Sequence, residues 1–209
     1  MALAQVRLLE MTSKRPLFRR LIHSFGGPFM SASNNPTPYV VDPNVRIGHV
    51  HLKVADLPRA LRFYNGVLGL QIMQRYGEGA VFLSAGGYHH HIALNTWESL
   101  GGSPPPPGTT GLYHTAIVYP SQAALAKALH RVLAAKIPLQ GAADHGVSES
   151  IYLNDPDENG VELYCDKPKD KWPRTSEGQL EMYTRRLDLH ALLSEAPEGS
   201  ELQTGPRDL

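Results

Sequence analysis

The order of apolar and polar positions along the chain predicts a βαβββ unit in its first half. Residues 45–54, "VRIGHVHLKV", alternate between apolar and polar side chains, which is typical of a half-buried strand. Residues 57–69 instead repeat leucine and tyrosine at helical spacing, with Asp56 suited to cap the helix and Gly69 to end it. Three short strands follow, divided by glycine-containing turns: "LQIMQRY", "GAVFLSA" and "HHHIALNT".

The same order of elements returns about 65 residues further along the chain. The stretch "WESLGGSPPPPGTTG" separates the two units as a loop, because consecutive prolines cannot donate the hydrogen bonds of a sheet. A strand "LYHTAIVYP", a helix capped by Ser121, and the strands "IPLQGAAD", "SESIYLNDP" and "GVELYCD" then follow. We therefore predict a domain at residues 45–168, with modules at about 45–97 and 110–166.

The two ends of the chain lack this pattern. Residues 1–44 form a predicted leader, and the part at 11–30 carries lysine and arginine but no acidic residue. That composition is typical of a transit peptide. We favour a different interpretation, in which the segment is an extension upstream of the true start, because Met11 and Met30 are both internal start candidates. At residues 169–209 we predict an amphipathic helix within "EGQLEMYTRRLDLHALLSE", followed by a disordered tail.

Composition narrows the function classes. The chain has 209 residues, 42% of them hydrophobic, and equal numbers of basic and acidic residues, 20 of each. Because these charges balance, the chain has no net charge whose electrostatic field would attract nucleic acid or a membrane surface. No apolar run approaches the roughly 20 residues that a spanning helix needs. The single cysteine, Cys165, excludes an internal disulfide and fits the cytoplasm, with organellar import expected if the leader is a transit peptide.

Histidines occupy corresponding places in the two modules. Aligning the repeats puts His49 against His114, both in first strands, and His91 against Glu162, both early in fourth strands. Two imidazoles and one carboxylate form the facial triad that leaves coordination positions open on Fe(II). Each histidine taken alone is better explained as a surface or hydrogen-bonded core residue, and Glu162 alone as part of a solvated strand face. For the triple 89–91, a metal-scavenging or solvated tract is the alternative interpretation. The joint placement of the histidines and Glu162 favours a metal site.

The stretches "IGHVHLKVADLPRALRFYNGVLGL", "YHHHIALNTW" and "DHGVSESIYLNDPDENGVELY" resemble the vicinal oxygen chelate superfamily. Within this superfamily of glyoxalases, bleomycin resistance proteins and extradiol dioxygenases, they are most similar to the catechol 2,3-dioxygenase-like branch. The resemblance covers roughly residues 45–190. It implies an α+β fold in which paired βαβββ modules form an open, barrel-like mixed sheet around a metal site. It also implies that His49, His114 and Glu162 are the metal ligands.

The resemblance further implies the residues that handle protons. The acid–base histidine of the branch lies in "HHHIA", where counting back from Ala93 gives His90 and the repeat alignment gives His91, which we favour. His91 is then a catalyst and not a fourth ligand, because substrate and O₂ need the remaining metal positions. Tyr152 would hydrogen-bond a substrate oxygen, and His145 would lie near the bound oxygen.

The implied function is that of a metal-dependent extradiol ring-cleaving dioxygenase, an oxidoreductase of aromatic catabolism. Its implied partners are a small aromatic diol and O₂, and neither nucleic acid nor a membrane. Whether the protein forms a homo-oligomer is left open by the sequence. Fe(II) is the expected metal and Mn(II) the second candidate. One alternative is a glyoxalase- or epimerase-like enzyme with Zn, Ni or Co, which would place a carboxylate or amide where the first module has His91. The other is a metal-free small-molecule binding or resistance module, which would lack the ligand set. Many members of the branch carry a second pair of modules, and this sequence has one pair.

Overall fold

The computed structural model describes residues 38–196, so most of the predicted leader and the predicted disordered tail lie outside the described residues. The chain divides into one unit up to Ile47 and another from Gly48 onward. In the described part of the first unit, the Asp42 carboxylate accepts a hydrogen bond of 2.8 Å from the backbone N–H of Asn44. No strand forms there, and the first strand begins at Val50 rather than at residue 45.

The first module contains the predicted elements in the predicted order. They are β1 (Val50–Lys53), α1 (Leu57–Leu61), a π-helical turn (Arg62–Val67), β2 (Gln71–Tyr76), β3 (Ala80–Ser84) and β4 (Ile92–Asn95). Asp56 caps α1 as expected, because its carboxylate accepts a hydrogen bond of 2.7 Å from the backbone N–H of Arg59. Gly69 follows the π-helical turn with a φ of 82°, a left-handed conformation that favours glycine.

The second module repeats this order. It comprises β5 (Thr115–Tyr119), α2 (Gln122–Ala134), β6 (Leu139–Asp144), β7 (Ser148–Asn154) and β8 (Gly160–Asp166). Ser121 caps α2 by accepting a hydrogen bond of 3.2 Å from the backbone N–H of Ala124. Both predicted caps and the internal repeat are therefore confirmed.

The chain after β8 differs from the prediction of one long amphipathic helix. A 3₁₀ turn at Lys169–Lys171 is followed by a short strand, β9 (Arg185–Arg186), and a helix, α3 (Leu189–Ser194). Arg185 and Arg186 pair with the outer edge of β6, so they form part of the sheet and not of a helix. The carboxylate of Asp188 then caps the helix, which starts only at that point.

The strands form two open mixed sheets, ordered β1-β4-β3-β2 and β5-β8-β7-β6-β9. In each module the first and fourth strands run parallel, and the remaining neighbours run antiparallel. This confirms the predicted α+β fold of paired βαβββ modules, although the strands form two separate open sheets and not one barrel-like sheet. Among the described residues, none of the helices combines the length and apolar character that a membrane crossing requires.

Strand alternation separates the core from the face that carries the candidate site. In β8, Val161, Leu163 and Cys165 are buried, whereas Glu162 and Tyr164 lie between them on the other face, half-buried. The buried side chains join one apolar cluster that also includes residues of both helices α1 and α2. The site residues therefore stand on a sheet face whose reverse side is fixed by the core.

The turn between β7 and β8 fastens the second module to the first, and we call this contact the clasp. The Asp155 carboxylate accepts a hydrogen bond of 2.9 Å from the hydroxyl of Tyr64, which is fully buried. Asp157 accepts hydrogen bonds from the backbone N–H of Ala55 at 3.1 Å and from the guanidinium of Arg59 at 2.5 Å. Burial, together with the negative charge of Asp155, raises the pKa of Tyr64 far above its usual value.

Arg131 of α2 adds a second contact between the modules. Its guanidinium donates to the backbone carbonyls of Val67 at 2.6 Å and Gly66 at 2.5 Å, at the end of the π-helical turn. Those carbonyls lie at a helix end, where the last turn has no partners within the helix.

Candidate active site

A continuous chain of hydrogen bonds crosses the polar face of the second sheet. His114 Nε2 lies 2.9 Å from Glu162 Oε2, and the other carboxylate oxygen of Glu162 accepts from the hydroxyl of Tyr152 at 3.0 Å. The Tyr152 hydroxyl lies 2.7 Å from Nε2 of His145. Sheet register explains the convergence, because β8 runs between β5 and β7 and pairs Glu162 directly with Tyr152. The structure thus brings together His114, Glu162, Tyr152 and His145.

Gly160 allows His114 to approach β8. A Cβ at position 160 would overlap the carbonyl oxygen of Tyr113 and would lie 3.1 Å from the Cβ of His114. Only a residue without a side chain leaves this space free, so the glycine of "DENG" fixes how closely the start of β5 lies against β8. The same contact fixes the distance between the His114 and Glu162 side chains.

Tyr152 is held as a neutral phenol. Burial, reinforced by the negative charge of Glu162, raises its pKa to about 12. At neutral pH the hydroxyl therefore keeps its proton and can donate it in a hydrogen bond, while its lone pairs remain available to accept.

His145 begins the tight turn between β6 and β7. Its backbone N–H donates to the carbonyl of Ser148 at 2.9 Å. Its ring Nδ1 lies 3.2 Å from both the carbonyl oxygen of Tyr183 and the hydroxyl of Thr184. Neither contact was predicted, because residues 183 and 184 fell within the predicted helix, and no sequence signal links positions so far apart.

A second histidine cluster lies on the first sheet, where the rings of His49 and His90 are 4.3 Å apart. His89 Nδ1 is 2.8 Å from His90 Nδ1, and the ring of Phe82 is 5.0 Å from that of His90. Desolvation, followed by the neighbouring imidazoles of His49 and His89, lowers the pKa of His90. No hydrogen bond or ring contact joins His49 to His114 within residues 38–196.

The register of the strands corrects the repeat alignment that favoured His91. Val50 pairs with Ile92 just as Thr115 pairs with Val161, so the position equivalent to Glu162 is Ala93. The residue triple 89–91 lies in a bend before β4, where strand alternation does not apply. His91 Nδ1 is instead 3.0 Å from the hydroxyl of Ser84.

Asn95 and Trp97 form a hydrogen-bonded unit with His51 that was not singled out from the sequence. The side-chain Oδ1 of Asn95 accepts from the backbone N–H of Trp97 at 3.1 Å, and its side-chain Nδ2 lies 2.9 Å from Nε2 of His51. The indole of Trp97 contacts the His51 ring at 5.5 Å. Nothing in the sequence indicated the partners of Asn95.

Two of the three proposed metal ligands, His114 and Glu162, are spaced to bind the same metal ion. Two donors held about 2.1 Å from one ion at a right angle lie roughly 3 Å apart. The contact of 2.9 Å between His114 and Glu162 matches this separation. No group of three or more histidine, cysteine or acidic side chains converges closely enough for a metal within the described part of the chain. The pair therefore suits two adjacent coordination positions, and His49 stands outside it.

Residues 46–163 match the model of the Glyoxalase/Bleomycin resistance protein/Dioxygenase superfamily. The chain belongs to this superfamily. The match confirms the resemblance seen in the sequence and includes His49, His90, His114 and Glu162.

Two named dioxygenases are similar to this chain. Catechol-2,3-dioxygenase of Bacillus subtilis is 38% identical over 169 residues, which are 80% of this chain and 58% of that protein. Biphenyl-2,3-diol 1,2-dioxygenase 3 of Rhodococcus globerulus is 33% identical over 123 residues, which are 58% of this chain and 63% of that protein. The match thus spans less than two thirds of the length of either relative.

Solved structures of superfamily members share the fold. A glyoxalase/dioxygenase from Nostoc punctiforme has a TM-score of 0.52 at 21% identity and is covered completely by 64% of this chain. A glyoxylase/bleomycin resistance protein/dioxygenase domain from Frankia has a TM-score of 0.50 at 22% identity, covering 59% of this chain and 98% of that domain.

Proposed function

We propose that the protein is a metal-dependent extradiol dioxygenase that cleaves the ring of a catecholic substrate with O₂. The observation that carries this proposal is the hydrogen-bonded chain from His114 through Glu162 and Tyr152 to His145. It joins two side chains of metal-ligand type to two side chains that can donate or accept a proton. The names of the Bacillus and Rhodococcus relatives supply the reaction class.

The proposed ligands are His114 and Glu162, with His49 as the third and Fe(II), or else Mn(II), as the metal. Neutral imidazole and carboxylate are the donors that a facial triad requires. Bound there, the metal would supply positive charge that favours the diol anion, and open positions for the diol and O₂.

Tyr152 and His145 have distinct proposed roles. Tyr152, whose pKa is about 12, stays protonated and orients a substrate oxygen by a hydrogen bond next to the Glu162 carboxylate. His145 presents Nε2 on the far side of the Tyr152 hydroxyl, where it can hold or move a proton. Both groups are fixed before substrate arrives, so little reorganisation is needed during the reaction.

Support for the acid–base histidine moves from His91 to His90. The repeat alignment that favoured His91 no longer applies, since Ala93 occupies the equivalent position. The His90 ring lies against His49, the proposed third ligand, whereas His91 is tied to Ser84. We therefore propose His90 as the general acid.

Ala93 also bears on the glyoxalase-like alternative. That class would need a carboxylate or amide at the position equivalent to Glu162 in the first module, and the buried Ala93 offers no donor atom. Of the two enzyme classes, the extradiol dioxygenase is therefore the better supported.

The test begins with purified protein without a histidine tag, loaded with Fe(II) under anaerobic conditions. We expect stoichiometric iron and O₂ uptake with at least one member of a panel of catechols. His114→Ala should lose the iron and keep the fold, whereas the control His130→Ala should keep both, because His130 lies on α2 and its ring nitrogen hydrogen-bonds the Leu193 carbonyl, at 3.4 Å. Full iron occupancy in His114→Ala would remove it from the ligand set, and a protein that binds catechol without metal would support the binding-module alternative.

The acid–base role is tested by His90→Phe beside His91→Phe. We expect His90→Phe to retain iron and bind catechol while turnover falls by about 10²–10⁴-fold, the usual contribution of a general acid. His91→Phe should have a smaller effect. A rate loss confined to His91→Phe would return the role to that residue, and loss of iron in His90→Phe would make it a ligand.

A further inference from the structure

The C-terminal segment returns to the candidate site after the family match has ended at residue 163. The backbone carbonyl of Tyr183 and the hydroxyl of Thr184 both lie 3.2 Å from Nδ1 of His145. These are the two ring contacts on the side of His145 that faces away from Tyr152. The segment therefore has access to one end of the hydrogen-bonded chain.

The other end of the chain determines where the His145 ring must carry a hydrogen. The Tyr152 hydroxyl has a single proton, which it donates to the Glu162 carboxylate at 3.0 Å. Its oxygen must then accept from His145, because Nε2 is only 2.7 Å away and two lone pairs at that distance would repel. This arrangement favours a hydrogen on Nε2 of His145, and the neutral ring then leaves Nδ1 as a hydrogen-bond acceptor.

The two contacts of Nδ1 differ in what they can do. The Tyr183 carbonyl can only accept, so alone it would favour a proton on Nδ1 and a lone pair on Nε2. The Thr184 hydroxyl can donate. We propose that Thr184 is a positioning residue that donates to Nδ1 of His145 and so keeps the ring hydrogen on Nε2, directed at Tyr152.

The backbone around Thr184 is held firmly enough for this role. The N–H of Tyr183 donates to the carbonyl of His145 at 3.2 Å, and β9 pairs with β6 immediately afterwards. Gly146, with a φ of 79°, leaves room for this packing, because a Cβ there would lie 2.7 Å from both Pro173 and Tyr183. The guanidinium of Arg185 also stacks on the Tyr183 ring at 4.1 Å from its centre.

The catalytic consequence rests on the proposed function, whereas the tautomer of His145 does not. Thr184→Val removes the donor and retains the shape of the side chain, leaving the Tyr183 carbonyl as the partner of Nδ1. The ring hydrogen should then move to Nδ1, and the Tyr152 proton should be drawn toward His145 and away from Glu162. Thr184→Ser restores a hydroxyl and should restore the original arrangement.

The experiment is nitrogen NMR of the imidazole groups in the full-length, metal-free protein, with the His145 signal assigned by its loss in His145→Gln. We expect Nε2–H in the wild type and in Thr184→Ser, and Nδ1–H in Thr184→Val. The control Thr109→Val removes a hydroxyl that donates to the Pro106 carbonyl at 2.9 Å, and it should leave the His145 signals unchanged. An Nε2–H ring in Thr184→Val would overturn the proposal, as would an Nδ1–H ring in the wild type.

Activity of the Fe(II)-loaded protein provides a second readout. Loss of a hydrogen-bonding partner of a metal-ligating side chain typically costs about 10–100-fold in activity, and by analogy we expect Thr184→Val to lower kcat by about this much with little change in KM. If no catechol is turned over even by the wild type, the proposed function fails while the NMR spectra still decide the role of Thr184.

Discussion

The clasp between the modules offers a stability test that can be worked out from individual hydrogen bonds. Tyr64→Phe removes the hydroxyl that donates to Asp155 and changes no apolar contact. Asp155 would still accept from the backbone N–H groups of Asp157 and Asn159, at 2.8 and 2.9 Å, and from the Asn159 side chain. A hydrogen bond to a charged group contributes about 1.5–3 kcal/mol, so the free energy of unfolding should fall by roughly that amount.

Asp155→Ala should cost more, because it leaves the Tyr64 hydroxyl and two backbone N–H groups without their acceptor. Each orphaned buried donor costs about 1–3 kcal/mol, and partial relaxation of the turn brings the expected loss to roughly 3–6 kcal/mol. The double variant should cost less than both single changes combined, since the phenylalanine that replaces Tyr64 has no hydroxyl to orphan. We expect a coupling energy of about 1 kcal/mol or more between the two positions.

Equilibrium unfolding in urea at pH 7 measures all three variants. A coupling energy below about 0.5 kcal/mol would refute the reasoning, because the hydroxyl and the carboxylate would then act independently. Alkaline pH gives a second measurement. The pKa of Tyr64 is raised in the folded protein, so the stability linked to its proton is complete below pH of about 10 and falls as the pH rises further. Tyr64→Phe should lack this component, and the two stability curves should converge in alkali.

Further substitutions and reagents test other parts of the fold. Gly160→Ala should weaken metal binding and lower the unfolding free energy by about 1–3 kcal/mol. The control Gly66→Ala should leave both nearly unchanged, because its new Cβ would meet its nearest atom at 3.9 Å. Equal effects of the two substitutions would contradict the close approach of β5 to β8 at Gly160. Burial works to raise the pKa of Asp144, and the Lys167 ammonium and a backbone N–H outweigh it and hold the pKa below its usual range. The stability from this pair is therefore present above pH of about 4 and lost as the pH falls further, so Lys167→Met should differ from the wild type in urea unfolding at pH 7 and converge with it in acid. Burial raises the pKa of the Cys165 thiol to about 11, so a thiol reagent at pH 8 should react only as fast as the protein unfolds, and immediate labelling would disprove this.

Local signals were sufficient for most of the fold. The caps Asp56 and Ser121 each satisfy backbone groups within three residues of themselves, so the sequence alone can reveal where a helix starts. The strand predicted at "GVELYCD" forms as β8, and buried and half-buried residues alternate along it because the ladder enforces a period of two. The repeat followed from comparing these local patterns.

The alternation of side chains between the two faces of a strand did not predict the structure of residues 89–91, which lie before β4 begins. The predicted strand included the triple 89–91, but β4 starts at Ile92, so the alignment of His91 with Glu162 had no structural basis. The C-terminal segment failed for a different reason. Arg185 and Arg186 pair with Asp144 and Ala143, and a sequence pattern carries no information about a partner some 40 residues away.

The candidate site was predictable through the resemblance and only partly through the residues themselves. Tyr152 and Glu162 are ten residues apart and become neighbours because β7 and β8 form a hairpin in the matching register. The contacts of Thr184 with His145 depend on how the C-terminal segment crosses the turn at Gly146, which only the folded chain determines.

The hydrogen bonds of the clasp join the two modules independently of their covalent connection, so we expect them to help hold the halves together after that connection is cut. The chain passes from one module to the other through the proline-rich loop, while Asp155, Asp157 and Arg131 hold the modules together by direct hydrogen bonds. A chain cut within that loop would keep every contact of the clasp, so its halves are suited to fragment complementation. Because the proposed ligand His49 and its partners His114 and Glu162 would then lie on different fragments, recovery of bound metal would report their reassembly.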